Sequence, residues 1–326
     1  MANILIIGSG AFGTALSQPL IENKHDVYFY SKNIDVSKKI MSGEHPLFPN
    51  IKILSPKKCF DNYLEAFNEN IDVILLCAPS KSLESIYNEI SPFLNENITI
   101  INSAKGLNPT SKCGVWSDLF EVNKIKKYAL IVGPSFAEDL LNKHKTIINV
   151  VSDSIDVANY VSSIFNNSYF KLVYFGDEYV ASLVSSIKNS LAIALGLVSF
   201  LDNSMNTQSA FLTIGLSEIQ KIISTLTGHN DSKLLNFFGV GDIFLTCSSD
   251  MSRNYRFGYE IGQKGLNQTL IDLKDQTVEG YKTIDYIYKY ILKFNLNLPL
   301  FTTLYDICYM NIDAKKFLDL VWNKIK

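Results

Sequence analysis

The 326-residue sequence contains almost no arginine. Of its 30 basic residues only Arg253 and Arg256 are arginine, and lysine provides every other cation. An AT-biased coding sequence explains a general shortage of arginine. A binding site for an anion explains why the two that remain lie three positions apart, because lysine cannot reproduce the planar, two-pronged hydrogen bonding of a guanidinium. The two explanations are compatible.

Other shortages exclude whole classes of protein. The 30 basic and 32 acidic residues give a formal net charge of -2, which argues against a nucleic-acid partner. The five cysteines form no C-x-x-C pair and the four histidines show no metal-ligand spacing, so we predict reduced thiols and no histidine-built zinc site. The longest apolar run, about Leu191 to Leu201, is shorter than the roughly 20 residues that span a membrane, and the N-terminus shows no signal-peptide pattern. We therefore expect a cytoplasmic protein without stable membrane insertion.

The apolar residues that are present suffice for packed cores, and the chain length fits two domains. In the first half, short apolar runs alternate with helical patterns, which predicts an α/β, Rossmann-like, doubly wound parallel sheet. After Gly176 the helical period dominates, so we predict an α/β domain over 1–176 and an all-α domain over 177–326. The predicted strands are Ile4–Ile7, Val27–Tyr30, Val73–Cys77, Ile98–Ile101, Tyr128–Val132, Thr146–Val151 and Phe170–Tyr174.

A lysine falls on the apolar face of the first helix predicted in the second domain. The helix is expected to begin near Asp177, and Lys188 lies four positions after Val184 and three before Leu191. A buried ammonium without a partner costs several kcal/mol. A lysine at the edge of the apolar stripe can instead extend its charged end to water. The spacing alone leaves both interpretations open.

A glycine-rich turn follows the first predicted strand. Gly8-Ser9-Gly10-Ala11-Phe12-Gly13 is a G-x-G-x-x-G that opens a helix, the context in which this pattern predicts dinucleotide binding. Gly8 would permit the tight turn, Gly10 the approach of a pyrophosphate, and Gly13 the packing of helix on strand. The end of the second strand reads Tyr30-Ser31-Lys32, without the acid that usually binds the ribose of NAD. Lys32 could accept the 2′-phosphate of NADP, so NADP is tolerated and NAD is not excluded.

Polar segments follow three further strands, at the edge of a parallel sheet where ligands bind. They are Ala78–Lys81, Ser103–Gly106 and Gly133–Glu138. In the last segment we expect Ser135 to cap a helix. In the second domain, Ser252 is expected to cap a helix whose first turn contains Arg253, and a helix start with a guanidinium favours phosphate.

Taken together, these motifs resemble those of bacterial NAD(P)-dependent glycerol-3-phosphate dehydrogenases over nearly the whole chain. The resemblance rests on several motifs in the same order. Beyond the glycine turn they include Lys105-Gly106, Gly133–Ala137, Lys188-Asn189, Gly241-Asp242, Leu245-Thr246-Cys247, Ser252–Gly258 and Val278–Tyr281.

The resemblance implies a role for each matching residue. Lys188 is implied as the catalytic acid and base at the C2 oxygen of the substrate. The implied substrate-binding residues are Lys105, Gly133, Ser135, Lys188, Asp242, Ser252, Arg253 and Asn254. The implied cofactor-binding residues are Gly8, Gly10, Ala11, Phe12, Gly13, Lys32, Lys105, Ala137, Arg253, Thr277 and Glu279. Gln208 and Ile214 depart from the family by replacing two arginines, outside the catalytic set.

The implied reaction interconverts sn-glycerol 3-phosphate and dihydroxyacetone phosphate and supplies glycerol 3-phosphate for phospholipid synthesis. We expect burial and Lys105 to lower the pKa of Lys188, with Asp242 opposing them. Two alternatives remain at this point: another two-domain dehydrogenase, acting on a hydroxyacyl-CoA or a sugar acid, and a dinucleotide sensor without catalysis. The sequence leaves open whether the cofactor is NAD or NADP and whether the chain forms a homodimer.

Overall fold

An eight-stranded sheet forms the centre of the first of two units, Met1–Ser182, in the computed structural model of the chain. The strand order is β3-β2-β1-β4-β5-β6-β7-β8, and every neighbouring pair is parallel except β6 and β7. The predicted Rossmann-like fold is confirmed. The strands are β1 (Asn3–Ile7), β2 (Asp26–Tyr30), β3 (Lys58–Phe60), β4 (Val73–Leu76), β5 (Thr99–Asn102), β6 (Tyr128–Val132), β7 (Thr146–Val151) and β8 (Phe170–Phe175).

Helices accompany the sheet in this unit. Residues of β1 and β4 are almost completely buried, as the continuous apolar runs in these strands predict for a sheet with both faces covered. The core joins these strands to apolar residues of the helices, including Leu16, Leu140 and Val161. The helices are α1 (Ala11–Glu22), α2 (Ile34–Met41), α3 (Tyr63–Phe67), α4 (Leu83–Ile90), α5 (Ser117–Glu121), α6 (Ala137–Leu141) and α7 (Ile155–Phe165).

The second unit, Leu183–Lys326, contains helices and no strand among its described residues. Its predicted all-α character is confirmed. Helix α8 begins at the end of the first unit and continues into the second. The helices are α8 (Glu178–Leu201), α9 (Met205–Thr227), α10 (Asp242–Cys247), α11 (Arg253–Lys264), α12 (Leu266–Asp272), α13 (Glu279–Phe294), α14 (Pro299–Tyr309) and α15 (Phe317–Trp322), with a π-helical turn at Phe237–Gly241 before α10.

Helix α8 is buried on all sides through most of its length. Among the described residues it alone is long and apolar enough to cross a membrane, and 89% of its most apolar window is buried inside the protein. A core helix of a soluble protein has these properties. Gly196 of α8 and Gly258 of α11 let the two helices approach closely, because a methyl group on Gly258 would lie 1.8 Å from the Ile193 carbonyl oxygen.

The structure describes residues 1–106, 108, 114–121, 125–228, 233–273 and 278–325. Thr277, one of the implied cofactor residues, lies outside these ranges. The domain boundary between residues 176 and 177 stays a prediction.

Candidate active site

The glycine turn of the first unit is built by close backbone contacts. Gly8 has a φ of 119°, in the region that favours glycine, and a Cβ there would lie 2.6 Å from the carbonyl oxygen of Cys77. A Cβ on Gly13 would lie 2.2 Å from the carbonyl oxygen of Gly8. Both glycines are therefore required by the packing of the turn against β1 and β4, whatever the turn binds.

Gly10 differs from the other two glycines. It is exposed, and a Cβ built on it would meet no atom within 4 Å. It is also the N-cap of α1, where no side chain caps the helix and the first turn contains no acid. An open helix start without a competing carboxylate fits the pyrophosphate of a dinucleotide, because its N–H groups and dipole attract anions.

His45 holds the glycine turn in place, and sequence inspection gave no indication of it. The Leu47 N–H donates to His45 Nδ1 at 3.2 Å, so Nδ1 is the acceptor and Nε2 has the proton. His45 Nε2–H then donates to the Ser9 carbonyl at 3.1 Å. In a trans peptide the C=O and the following N–H point in opposite directions, so this bond directs the Gly10 N–H away from His45.

The end of β2 is polar and partly shielded. The Ser31 hydroxyl lies 2.7 Å from that of Ser9, which links this strand end to the glycine turn. Lys32 is 71% exposed and forms an ion pair of 3.3 Å with Glu89 of α4. Because exposed pairs contribute little stability, Lys32 remains available to a cofactor phosphate. Its cofactor role stays a prediction.

Two loops at the ends of β5 and β6 contain further predicted residues. Lys105 is half-buried in the loop after β5. Gly133 follows β6 with a φ of 156°, and a Cβ there would lie 2.7 Å from Ile148 Cβ of β7. The expectation that Ser135 caps a helix is wrong. Helix α6 begins at Ala137 after Phe136, without a side-chain cap, and the Ser135 hydroxyl donates instead to the Gly133 carbonyl at 3.3 Å.

In the second unit Lys188 is buried and paired. Its side chain is 1% exposed and forms an ion pair with Asp242, which is equally buried. The pair decides between the two interpretations of Lys188, because a lysine that extends to water would be exposed. Asp242 is the first residue of α10, and the close turn at Gly239 before it leaves no room for a side chain, since a Cβ there would lie 2.0 Å from the Leu234 carbonyl oxygen.

Thr246 is a third member of this group. Its hydroxyl accepts a hydrogen bond from Lys188 Nζ at 3.3 Å and donates to the Asp242 carbonyl at 2.6 Å. In the sequence Thr246 belongs to a motif of the family, but no role was predicted for it. Its position four residues after Asp242 places both residues on one helix face. Burial raises the pKa of the neighbouring Cys247 thiol, so this group keeps its proton.

The segment with the two arginines opens α11 as predicted. Ser252 is the N-cap, and its side chain accepts from the Tyr255 N–H at 3.3 Å. Arg253 is exposed in the first turn. Arg256 donates to the Asp250 carbonyl at 2.9 Å, so it supports the loop before the helix.

Asn189 and Ser190 join the lysine to the start of α13. Asn189 Nδ2 donates to Glu279 at 3.4 Å, and the Ser190 hydroxyl donates to the Gly280 carbonyl at 2.8 Å. The Gly280 N–H donates to Asn254 Oδ1 at 3.0 Å. The second unit thus brings Lys188, Asp242, Asn254 and Glu279 into one bonded region, while the glycine turn, Lys32, Lys105 and the Gly133–Ala137 loop belong to the first unit.

Comparison with known proteins matches two separate parts of the chain. A family model described as NAD-dependent glycerol-3-phosphate dehydrogenase N-terminus matches residues 3–158, and its C-terminus counterpart matches residues 177–319. A relative from Malacoplasma penetrans named glycerol-3-phosphate dehydrogenase (NAD(P)+) is 33% identical over 338 residues, 98% of this chain and 97% of its own. One of the same name from Francisella tularensis subsp. novicida is 32% identical over 96% of this chain and 95% of its own. The crystal structure of glycerol-3-phosphate dehydrogenase from Coxiella burnetii shares the fold, with a TM-score of 0.83 at 23% identity over 98% of both chains.

Proposed function

Because the chain belongs to the NAD-dependent glycerol-3-phosphate dehydrogenase family, we propose that Lys188, held by Asp242, is its catalytic acid and base. The chain is an NAD(P)-dependent oxidoreductase that interconverts sn-glycerol 3-phosphate and dihydroxyacetone phosphate, the reaction that supplies glycerol 3-phosphate for phospholipid synthesis. Family membership favours this function over the two alternatives, a dehydrogenase of another substrate class and a sensor without catalysis.

The first unit would hold the dinucleotide at the glycine turn. When bound, the nicotinamide ring supplies the hydride chemistry. The protein contributes the backbone N–H groups at the start of α1, with Gly10, Ala11 and Phe12 as the residues nearest that helix end. Lys32 would meet a 2′-phosphate, and Ala137 and Glu279 would complete the cofactor contacts.

The proton step would take place at Lys188 Nζ. In the oxidation of the alcohol, neutral Lys188 would remove the proton of the C2 hydroxyl. In the reduction of the ketone, its ammonium would polarise the carbonyl oxygen and return the proton. Asp242 and the Thr246 hydroxyl fix the Nζ atom, since both contact it. General acid–base catalysis of this kind contributes roughly 10²- to 10⁴-fold to the rate.

The substrate phosphate would bind at the start of α11. Arg253 is exposed there, at the positive end of a 12-residue helix without an acid in its first turn. A guanidinium can form two parallel hydrogen bonds to a phosphate. The resemblance adds Lys105, Gly133, Ser135, Ser252 and Asn254 as further substrate contacts.

The observation that supports the proton step best is the buried Lys188–Asp242 pair. The test follows NADH absorbance with dihydroxyacetone phosphate and, in parallel, with acetoacetyl-CoA. We expect oxidation only with the first substrate, and a loss of at least about 100-fold in kcat for Lys188→Met with NADH binding retained. Turnover with acetoacetyl-CoA alone would overturn the substrate assignment, and full kcat in Lys188→Met would overturn the role of the lysine.

We further place the enzyme in the cytoplasm, without nucleic-acid partners or stable membrane insertion. The burial of α8 supports only the absence of membrane insertion, because a helix enclosed by protein is not available to lipid. A homodimer stays a prediction. Fractionation of cells with antibody detection tests the compartment, and sedimentation equilibrium of the purified chain tests the dimer.

A further inference from the structure

We propose that Glu178 is a positioning residue for Lys105, acting through a buried polar network that fixes the backbone on both sides of that lysine. The inference rests on the proposed function, in which Lys105 contacts the substrate and the nicotinamide. Glu178 itself is only 7% exposed and is not among the residues that the family resemblance implies. All members of the network belong to the first unit.

One arm of the network reaches the residue after Lys105. Glu178 Oε1 accepts hydrogen bonds from the backbone N–H groups of Trp116 and Ser117, at 3.2 and 3.3 Å. The indole N–H of Trp116 then donates to the Gly106 carbonyl at 3.0 Å. Gly106 has a φ of 108°, which only glycine adopts without strain, so the loop turns at this position. The carboxylate therefore fixes the tryptophan whose indole holds the loop.

The other arm reaches the residue before Lys105. Burial, and then the charge of the nearby Glu178 carboxylate, raise the pKa of Tyr128, and the Tyr128 hydroxyl accepts a hydrogen bond from Asn102 Nδ2 at 3.1 Å. Asn102 Oδ1 in turn accepts from the Ala104 N–H at 2.9 Å. Because Asn102 donates to the tyrosine oxygen, the tyrosine proton is left for another acceptor, and the proposal assigns it to the nearby Glu178 carboxylate. Each bond in this arm depends on the next.

Burial makes this network selective for a carboxylate. Asn102 is fully buried, Tyr128 is 6% exposed and Trp116 is 4% exposed. Burial raises the pKa of Glu178, while hydrogen bonds from the backbone N–H groups of Ser117 and Trp116 lower it. A carboxylate offers only acceptors, whereas a glutamine of the same size offers one acceptor and one donor group, so it cannot receive both the backbone N–H groups and the tyrosine hydroxyl. A displacement of about 1 Å in a loop of this kind can lower a rate about 100-fold.

Two nearly isosteric variants test the proposal, Glu178→Gln and Tyr128→Phe. Each removes the inferred hydrogen bond between Tyr128 and Glu178, so we expect each to lower kcat by about 10- to 100-fold, with NADH affinity by fluorescence titration changed less than about twofold. The double variant should be no worse than either single variant, since both act through one bond. Hydrogen exchange by mass spectrometry should show faster exchange in a peptide covering residues 100–106 in both variants.

Glu218→Gln is the matched control. Glu218 is also a buried glutamate that accepts two backbone N–H groups, from Leu300 and Phe301, and it belongs to the second unit. We expect it to lower the melting temperature while kcat and exchange over residues 100–106 stay unchanged. Normal kcat in Tyr128→Phe and Glu178→Gln, with an active wild type, would overturn the positioning role. An inactive wild type would overturn the proposed function instead. Hydrogen exchange over residues 100–106 would then still decide whether Glu178 orders the loop, and an unchanged rate of exchange in the variants would refute the inference.

Discussion

Replacing Lys188 and Asp242 together should separate stability from catalysis. Each side chain is 1% exposed, so either single substitution leaves a buried polar partner behind. Breaking a buried ion pair by removing one member destabilises a protein by about 3–5 kcal/mol. We expect Lys188→Met and Asp242→Asn to lower the free energy of unfolding by about that amount each.

The double variant K188M/D242N should be less destabilised than either single variant. It contains no unpaired charge, and replacement of a buried pair by neutral side chains of similar size is often close to neutral in stability. The amide that replaces the carboxylate could still approach the Thr246 hydroxyl, which lies 3.5 Å from Asp242 Oδ1 in the native chain. Activity should nevertheless be lost in the double variant, because it has no proton donor at the position of Lys188 Nζ.

Urea unfolding followed by circular dichroism measures the free energy of unfolding, and NADH oxidation with dihydroxyacetone phosphate measures the activity. Because the chain has two units, the midpoint of the transition is compared as well as the extrapolated free energy. If the double variant is destabilised by the sum of the single effects, the two residues do not act as a pair. If it retains kcat, the proton comes from another group.

Three further predictions concern separate parts of the protein. Arg253→Lys should raise KM for dihydroxyacetone phosphate much more than for unphosphorylated dihydroxyacetone, and equal effects in steady-state kinetics would argue against a phosphate contact. His45→Phe should weaken NADH binding by roughly tenfold, whereas His45→Gln should retain part of the affinity because its amide N–H can still donate to Ser9. Fluorescence titration gives both dissociation constants. An unchanged dissociation constant in His45→Phe would contradict the role of the histidine. Burial raises the pKa of Glu218 to about 7 from its ordinary value of 4.5. The stability that protonation of the folded state provides is therefore fully present below pH 4.5 and is lost as the pH rises through 7. The urea midpoint of the wild type should fall relative to that of Glu218→Gln between pH 5 and pH 8, and parallel pH profiles would refute this.

The sequence predicted most of what depends on neighbouring residues. Seven strands were expected from short apolar runs, and each appears with bounds that agree within two residues. Strand β3 was missed because Lys58–Phe60 is only three residues long and its first residue is exposed, so it has no apolar run. The cap at Ser252 was correct, whereas the cap at Ser135 was wrong because α6 begins one residue later than the serine could reach.

What depends on distant residues was not predictable from local patterns. The burial of Lys188 stayed undecided in the sequence, because its contacts Asp242 and Thr246 come from another helix, the latter 58 positions away. His45 and Glu178 were missed for the same reason, since neither belongs to a motif or to a regular apolar pattern. Their roles follow from hydrogen bonds to Ser9 and to Trp116 and Ser117, which only the folded chain brings within reach.

Three buried carboxylates, Glu178, Glu218 and Asp242, differ in the partners that they hold. Glu178 and Glu218 each accept two backbone N–H groups, and a backbone amide does not exchange its charge state at physiological pH. These two residues can therefore fix chain segments but cannot assist proton transfer through those partners. Asp242 instead pairs with Lys188, the side chain proposed as the catalytic acid and base. The proposed role of Lys188 therefore predicts that loss of the proton step follows substitution of Lys188 and Asp242, whereas substitution of Glu178 or Glu218 acts through loss of order in the segments that these glutamates hold.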